Sequence, residues 1–485
     1  MSDRGSLNRW SPPVRRVPFR SYTVPNEENA MQNAAADRRN RYVEGHFAPV
    51  KEEVTAYDLP VTGRLPADLK GRYLRMGPNP LGVEDPATHF YAFGAGMVHG
   101  VRIRDGRAEW YRNRWVRSTE VADALDRLRR GEQPPAFLPP SPNVHVLGHA
   151  GRTLALVEAG GLPHELGYEL DTIGACPMAA TPEGSSANAH SKVDPRTGDL
   201  HSLAYALGRP FAQYIVTDPA GTVTRVTDIP LSGDTPFLHD FALSESYVIV
   251  FDIPLTFSMT AMLFRWDPGH QARVGVLPRA GGDIRWLPVE SFYVSHVLNA
   301  YDDGATITVD LIRSEGPVDV ADPGAISPTL DRWTIDPASG RVDQRRIDDR
   351  AQDFPRVNDA FASRPHRYGY SAVSPVYGVP FTPDGPHPDE AFANALVKND
   401  LRRGTTEVHG FARDAAVGEA AFVADPSGGG EEDDGYLMAY VADPERGASD
   451  LVILSAQDFT GPPVARVHLP VRVPLGFHGN WIPDA

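Results

Sequence analysis

Asp302-Asp-Gly-Ala-Thr-Ile-Thr-Val-Asp-Leu311 holds a turn and a strand in one short stretch. Asp302-Asp-Gly304 supplies residues that tolerate φ > 0. Behind it, Ile307, Val309 and Leu311 alternate with Thr306, Thr308 and Asp310, the period of a β-strand. Working outward, the same reading applies to Thr153-Leu-Ala-Leu-Val-Glu158, Tyr247-Val-Ile-Val-Phe-Asp252, Tyr436-Leu-Met-Ala-Tyr-Val441 and Leu451-Val-Ile-Leu454. Turn signals recur at Asp194-Pro-Arg-Thr-Gly198, Asp218-Pro-Ala-Gly221 and Asp336-Pro-Ala-Ser-Gly340. One segment reads as helix, Glu120 to Arg130, with Ser118 or Thr119 as N-cap and Gly131 as its stop.

Composition agrees with an all-β chain. Its 44 Gly and 45 Pro are too many helix breakers for a bundle and suit many short strands. Residues 1–40 are polar and read as a flexible N-terminal extension; residues 41–485 read as a single domain with no convincing interior linker. A propeller blade takes about 40–50 residues and more with insertions, so several blades around one axis fit this length. That architecture ranks ahead of a pair of β-sandwiches.

A formal net charge of −16 excludes a nucleic-acid partner, which needs a cationic face. The single cysteine, Cys176, excludes an intrachain disulfide framework and a thiolate zinc cluster, and it suits a reducing compartment. The first 40 residues lack the apolar core of a signal peptide, and no run of 18 apolar residues occurs. Cytoplasm is the expected location, and an apolar patch on loops would still permit peripheral membrane contact.

Just upstream of the opening stretch stands His296, one of four histidines in distinctive surroundings. The others are His190 in Asn188-Ala-His-Ser-Lys192, His239 in Leu238-His-Asp-Phe241 and His478 in Gly476-Phe-His-Gly-Asn-Trp481. A histidine taken singly is usually a surface or hydrogen-bonded structural residue. These four lie 49, 57 and 182 residues apart, roughly one, one and three blade lengths, and a propeller axis is a point they could share. Imidazole suits Zn, Cu, Fe and Ni alike, so spacing alone leaves the metal open. Metal-bound histidines pass their second ring N–H to a carboxylate or carbonyl, which draws attention to acidic residues at strand ends: Glu158, Glu419 and Asp353. Exposed or salt-bridged carboxylates are the ordinary alternative there.

Other motifs exclude functions. Gly94-Ala-Gly-Met-Val-His99 lacks the third glycine and the helix of a dinucleotide fingerprint and reads as tight backbone packing. Neither a Gly-x-Ser-x-Gly elbow nor a phosphate-binding Gly-x-x-x-x-Gly-Lys loop occurs.

At these residues the chain resembles the carotenoid cleavage oxygenase family, which includes the lignostilbene dioxygenases. The resemblance runs from Gly45-His-Phe-Ala-Pro-Val50 to Gly476-Phe-His-Gly-Asn-Trp-Ile-Pro483. Between them, in family order, stand Gly77-Pro-Asn-Pro80, Gly96-Met-Val-His-Gly100, Ala189-His-Ser-Lys-Val-Asp-Pro-Arg-Thr-Gly198, His239-Asp-Phe-Ala-Leu-Ser-Glu245, His296-Val-Leu-Asn-Ala-Tyr-Asp-Asp-Gly304, Phe354-Pro-Arg-Val-Asn358 and Glu432-Asp-Asp-Gly-Tyr-Leu437.

The resemblance implies a seven-bladed β-propeller with one Fe(II) per chain on its axis, beneath a cap of loops and helix that encloses an apolar tunnel. By motif position, His190, His239, His296 and His478 would be the ligands. Glu158 and Glu419 would support them from behind. Asp353 stands where the family usually has Glu, so a longer or water-mediated hydrogen bond is expected there. Ala95 stands where relatives often have Asp.

The implied reaction takes dioxygen as co-substrate and splits a carbon–carbon double bond of an apolar alkene into two carbonyl products. No protein acid or base beyond the iron centre is required by it. Relatives that cleave phenolic stilbenes tend to carry Lys before the first Glu and a Tyr in the preceding loop. Here Val157 holds the first position and residues 120–146 contain no tyrosine, which favours a carotenoid or apocarotenoid. The alternatives are a lignostilbene- or phenylpropene-cleaving dioxygenase, a non-oxidative isomerase on the same fold, and a non-enzymatic propeller that binds partners.

Overall fold

All five apolar runs form strands in the computed structural model. The structure describes residues 43–484 apart from 83–88, 90–91, 136–137, 139–140, 207, 232–236, 259–262, 317–326 and 374–393. The expected extension, residues 1–40, lies outside the described residues.

Seven antiparallel sheets follow one another as the blades of a propeller. Blade 1 is built from residues 55–57, 71–78, 96–104 and 107–115, and blade 2 from 145–149, 152–156, 164–166 and 172–175. Blade 3 uses 192–193, 200–204, 211–217 and 223–230; blade 4 uses 241–243, 247–252, 273–278 and 285–288. Blade 5 holds 293–302, 307–314, 329–336 and 341–348; blade 6 holds 352–356, 368–373, 395–400 and 405–410. Blade 7 comprises 416–417, 421–424, 435–443, 448–455 and 465–468. The turns read from the sequence join neighbouring strands, with Gly198, Gly221, Gly304 and Gly340 all at positive φ.

The chain ends interlock the ring. Val61–Gly63 crosses back to pair with Ala465–His468 of blade 7, while Gly479–Pro483 pairs with Gly71–Pro78 and becomes the innermost strand of blade 1. Each crossing ties a segment from one side of the seam to the blade on the other, which closes the ring between blades 7 and 1. The seam is tight: a Cβ on Gly77 would lie 2.8 Å from the Gly476 Cα, so neither glycine could carry a side chain without the backbones separating.

The core is divided into interblade layers, and this explains why the inner runs are continuously apolar. In Tyr247–Asp252, Val248 and Val250 pack toward blade 3 while Ile249 and Phe251 pack toward blade 5. A strand buried on both faces has no polar side to show. Clusters of this kind fill the junction between every pair of neighbouring blades. At the 4/5 junction Phe292 and Trp333 pack edge to face with ring centroids 4.7 Å apart, an arrangement worth about 0.5–1.5 kcal/mol beyond burial.

Of the expected cap, the helix is described. Thr119–Arg129 is capped by the Ser118 hydroxyl, which accepts from the Val121 N–H at 3.3 Å, and Gly131 follows at φ +76°. Its Val121 and Leu125 pack on Ala95, Met97 and Trp115 of blade 1. Ala95 thus sits in an apolar layer that would leave an aspartate without partners. Backbone packing at Gly96 is as close as the sequence suggests, because a Cβ there would fall 1.6 Å from the Pro142 oxygen. Among the described residues no helix is long and apolar enough to cross a membrane.

Candidate metal centre

Blades 2 to 7 turn their first strand inward, blade 1 has Gly479–Pro483 in that place, and these inner strands carry or directly follow the site residues. His190 lies two residues before the inner strand of blade 3, His239 two before that of blade 4, and His478 directly before Gly479–Pro483 of blade 1. His296 is inside the inner strand of blade 5, at a register break between Val294 and His296 that re-aims the side chain. From blade 3 to 4 to 5, and then onward through 6 and 7 to 1, the ligand-bearing blades are separated by one, one and three steps. The uneven sequence gaps are therefore whole numbers of blades.

The four imidazoles converge. Ring centroids of His190 lie 4.3 Å from His239, 5.2 Å from His296 and 4.8 Å from His478, and His296 lies 5.1 Å from His239 and 4.8 Å from His478. The outer nitrogens of three rings face carboxylates: His239 Nδ1 to Glu158 Oε2 at 3.0 Å, His296 Nδ1 to Asp353 Oδ1 at 2.7 Å, and His478 Nδ1 to Glu419 Oε1 at 2.9 Å. Glu158 also approaches His190 Nε2 at 3.9 Å and accepts from the Tyr205 hydroxyl at 2.8 Å. All three carboxylates named from the sequence thus stand behind the histidines. Asp353 differs from expectation in one respect, because its bond to His296 is direct and short.

This donor set fits a cation. A carboxylate only accepts, so each Nδ1 facing one donates its proton and the neutral ring turns a lone pair inward from Nε2. The Nε2 atoms of His296 and His478 stand 3.2 Å apart, two acceptors facing each other. His190 Nε2 is buried with no hydrogen-bond partner among the described residues. Two nitrogens each about 2.1 Å from one ion and at right angles around it lie about 3 Å apart, so a divalent metal resolves both conflicts. Groups able to hold a metal ion include His190 with His296 and His478, and His190 with His239 and Glu158.

Electrostatics point the same way. Burial, then the neighbouring histidines, hold His190 well below the usual imidazole value of 6.5, and burial outweighs Glu419 at His478 to lower it too. At His296 burial is overcome by Asp353, with Asp240 and Glu419 adding, and the ring is raised above 6.5. Protons therefore compete with metal first at His296. Below pH 6.5 its protonated form is favoured, so apparent metal affinity should fall by about tenfold per pH unit for each proton displaced. Equilibrium dialysis at stepped pH checks this; an affinity that stays flat from pH 6.5 to 4.5 would contradict it.

Several supporting residues escape a reading based on ligands alone. Asp240 joins three ligand-bearing strands: Oδ1 pairs with Lys192 Nζ at 2.8 Å, and Oδ2 accepts from the Val297 N–H at 2.8 Å. Both partners lie within two residues of a ligand histidine, so the signal was in the motifs. His145, on the inner strand of blade 2, donates from Nδ1 to the Ala189 oxygen at 2.7 Å and accepts at Nε2 from Asn480 at 2.9 Å. Burial and then the nearby His478 push its pKa down to about 3, so it is a neutral strut between the Ala189 backbone beside His190 and the Asn480 side chain near His478. Arg356 reaches across to the Gly479 oxygen at 2.9 Å and to Glu419 at 3.4 Å.

Comparison with known proteins agrees with this architecture. Residues 47–483 match the family model described as retinal pigment epithelial membrane protein, RPE65. The carotenoid cleavage oxygenase of Mycobacterium tuberculosis is 41% identical, over 93% of this chain and 99% of its own length. Isoeugenol monooxygenase of Pseudomonas nitroreducens is 31% identical over 93% of this chain and 99% of its own. The crystal structure of the lignostilbene dioxygenase of Pseudomonas brassicacearum superposes with a TM-score of 0.81 at 27% identity, covering 91% of this chain and 98% of that one. With a seven-bladed propeller and relatives named as oxygenases along nearly its whole length, this chain belongs to the carotenoid cleavage oxygenase family and is an oxidoreductase.

Proposed function

We propose that the chain is a non-haem Fe(II) dioxygenase that cleaves a carbon–carbon double bond of a carotenoid or apocarotenoid into two carbonyl products. The observation that carries this reading is the inward convergence of four imidazoles, three of them backed by a buried or half-buried carboxylate. His190, His239, His296 and His478 would hold the iron. Fe(II), when bound, supplies the activation of dioxygen that scission of an alkene requires.

The chain's own residues have the remaining tasks. Glu158, Asp353 and Glu419 fix the tautomer and plane of three rings and supply negative charge that neutral histidines lack. Four neutral nitrogens leave coordination positions and positive charge available at the ion. Blade-junction layers hold the ligand strands in place, so that positioning is the protein's contribution.

The substrate reading rests on Val157, which is 3% exposed and sets its branched methyls against Gly161. It offers no hydrogen-bonding group to a phenolic hydroxyl. The name of the 41% identical relative supports the same class. A second reading, cleavage of a phenolic stilbene or phenylpropene, is favoured by the isoeugenol and lignostilbene relatives. Product masses from carotenoids, apocarotenoids and 4-hydroxystilbenes decide between them: paired aldehydes or ketones from a polyene are expected, and much faster turnover of a 4-hydroxystilbene would favour the second. We place the enzyme in the cytoplasm, with contact to apolar membrane-borne substrate at its surface; the buried, unpaired Cys176 is compatible with a reducing compartment.

A further inference from the structure

We propose that Ser295 is a positioning residue of the metal centre that acts through Asp353, with the Phe354 N–H as the second fixed donor to the same carboxylate oxygen. An aspartate is one methylene, about 1.5 Å, shorter than a glutamate. Yet Asp353 reaches His296 directly, at 2.7 Å. Something brings the carboxylate and the ring toward each other.

Two irregularities in the facing inner strands do so. In a regular strand consecutive side chains point to opposite faces, so Ser295 and His296 should not reach one atom. Here both donate to Asp353 Oδ1, Ser295 Oγ at 2.9 Å and His296 Nδ1 at 2.7 Å. The register break between Val294 and His296 permits it. On the other strand the register breaks between Asp353 and Arg356, and Phe354 stands at φ +54°. A phenylalanine at positive φ is strained and persists only where its surroundings impose it. The Phe354 N–H donates to Asp353 Oδ1 at 2.8 Å, and the left-handed turn that follows carries the chain away from the regular ladder.

One carboxylate oxygen thus receives three donors, from Ser295, His296 and Phe354, in a buried site. The serine hydroxyl and the Phe354 amide fix where that oxygen sits, and the oxygen fixes the plane of His296. Ser295 touches neither metal nor substrate in this account.

The inference rests on the reading that His296 holds a metal, and the test separates the two. Cobalt(II) is titrated into the metal-stripped full-length chain, and both its affinity and its ligand-field absorption are recorded. Ser295→Val and Ser295→Thr have the same shape, suit a strand, and differ in the hydroxyl. Val is expected to weaken cobalt binding by about tenfold and shift the absorption bands, while Thr stays within about twofold of the parent. Ser295→Ala, which cannot overpack, should behave as Val does. On an Asp353→Ala background the valine should add nothing. Asp353→Glu should also weaken binding, because the donors are set for the shorter acid.

Equal behaviour of Val and Thr, or a full valine effect without Asp353, overturns the inference while the metal centre stands. A parent chain that takes up no cobalt overturns both.

Discussion

His190→Ala is expected to lower metal affinity by about two to three powers of ten and to leave alkene cleavage below detection. A four-ligand protein site binds a divalent ion with about 10–16 kcal/mol, so one ligand accounts for about 3–4 kcal/mol. His190 is the sharpest choice among the four. Its Nε2 is buried and has no hydrogen-bond partner among the described residues, a costly arrangement for a residue that only packs. If His190 were structural, alanine would relieve that orphaned atom and lose little except packing. If it is a ligand, metal content collapses while the fold survives, since the blade junctions do not depend on this ring. Metal analysis and calorimetric titration read the first effect, and thermal unfolding of the metal-stripped protein reads the second. Unchanged metal content in the alanine variant would remove His190 from the centre.

Glu419→Ala should be the most damaging change to a residue that is not itself a ligand. This carboxylate is 3% exposed; it accepts from His478 Nδ1 at 2.9 Å and the Gly479 N–H at 2.7 Å, and it pairs with Arg356 at 3.4 Å. Burial disfavours its charge, but Arg356 and His478 outweigh burial and hold it below the ordinary carboxylate range. Its removal leaves the half-buried Arg356 with Asp359, 3.8 Å away, as its remaining carboxylate and strips the acceptor from His478 Nδ1 and the Gly479 N–H, at a cost of about 1–3 kcal/mol for each buried donor left unsatisfied. Loss of the acceptor behind His478 should weaken metal binding by a further 10–100-fold, as an order-of-magnitude estimate. Because the folded value is depressed, the stabilisation is complete above pH 4.5, the ordinary glutamate value, and is lost as pH falls below it. Glu419→Gln, which keeps the shape, should recover part of the stability and little of the affinity. Denaturant unfolding at pH 7 and pH 3 measures the stability and calorimetric titration the affinity; a stability difference between parent and Glu419→Ala that is the same at both pH values would contradict the assignment.

Much of this was legible in the chain because the fold writes itself into short-range patterns. The turn glycines and doubly buried runs such as Tyr247–Asp252 identify blades without any knowledge of their order. The number of blades came from the resemblance, since no repeat in the sequence counts them. Nor could local pattern show that Gly479–Pro483 leaves the last blade to line the first. That pairing depends on a strand more than 400 residues away in sequence, and it places His478 three blades beyond His296. The sequence names Asp353 as a candidate beside Glu158 and Glu419, but the short bond to His296 is not visible there. Side-chain length is visible in a sequence, whereas the bulges at Val294–His296 and Asp353–Arg356 that offset it are backbone features set by neighbouring strands. His145 is hidden for a related reason: it resembles any histidine on an alternating strand until the Ala189 backbone and the Asn480 side chain arrive on either side.

The most direct test is anomalous diffraction at the iron edge from crystals of anaerobically purified protein, with iron counted per chain in the same sample. One iron per chain, with a single peak bounded by the Nε2 atoms of His190, His239, His296 and His478, is the predicted result. Zinc in stoichiometric amount with no activity gained on adding iron, or an anomalous peak away from these four nitrogens, would contradict it.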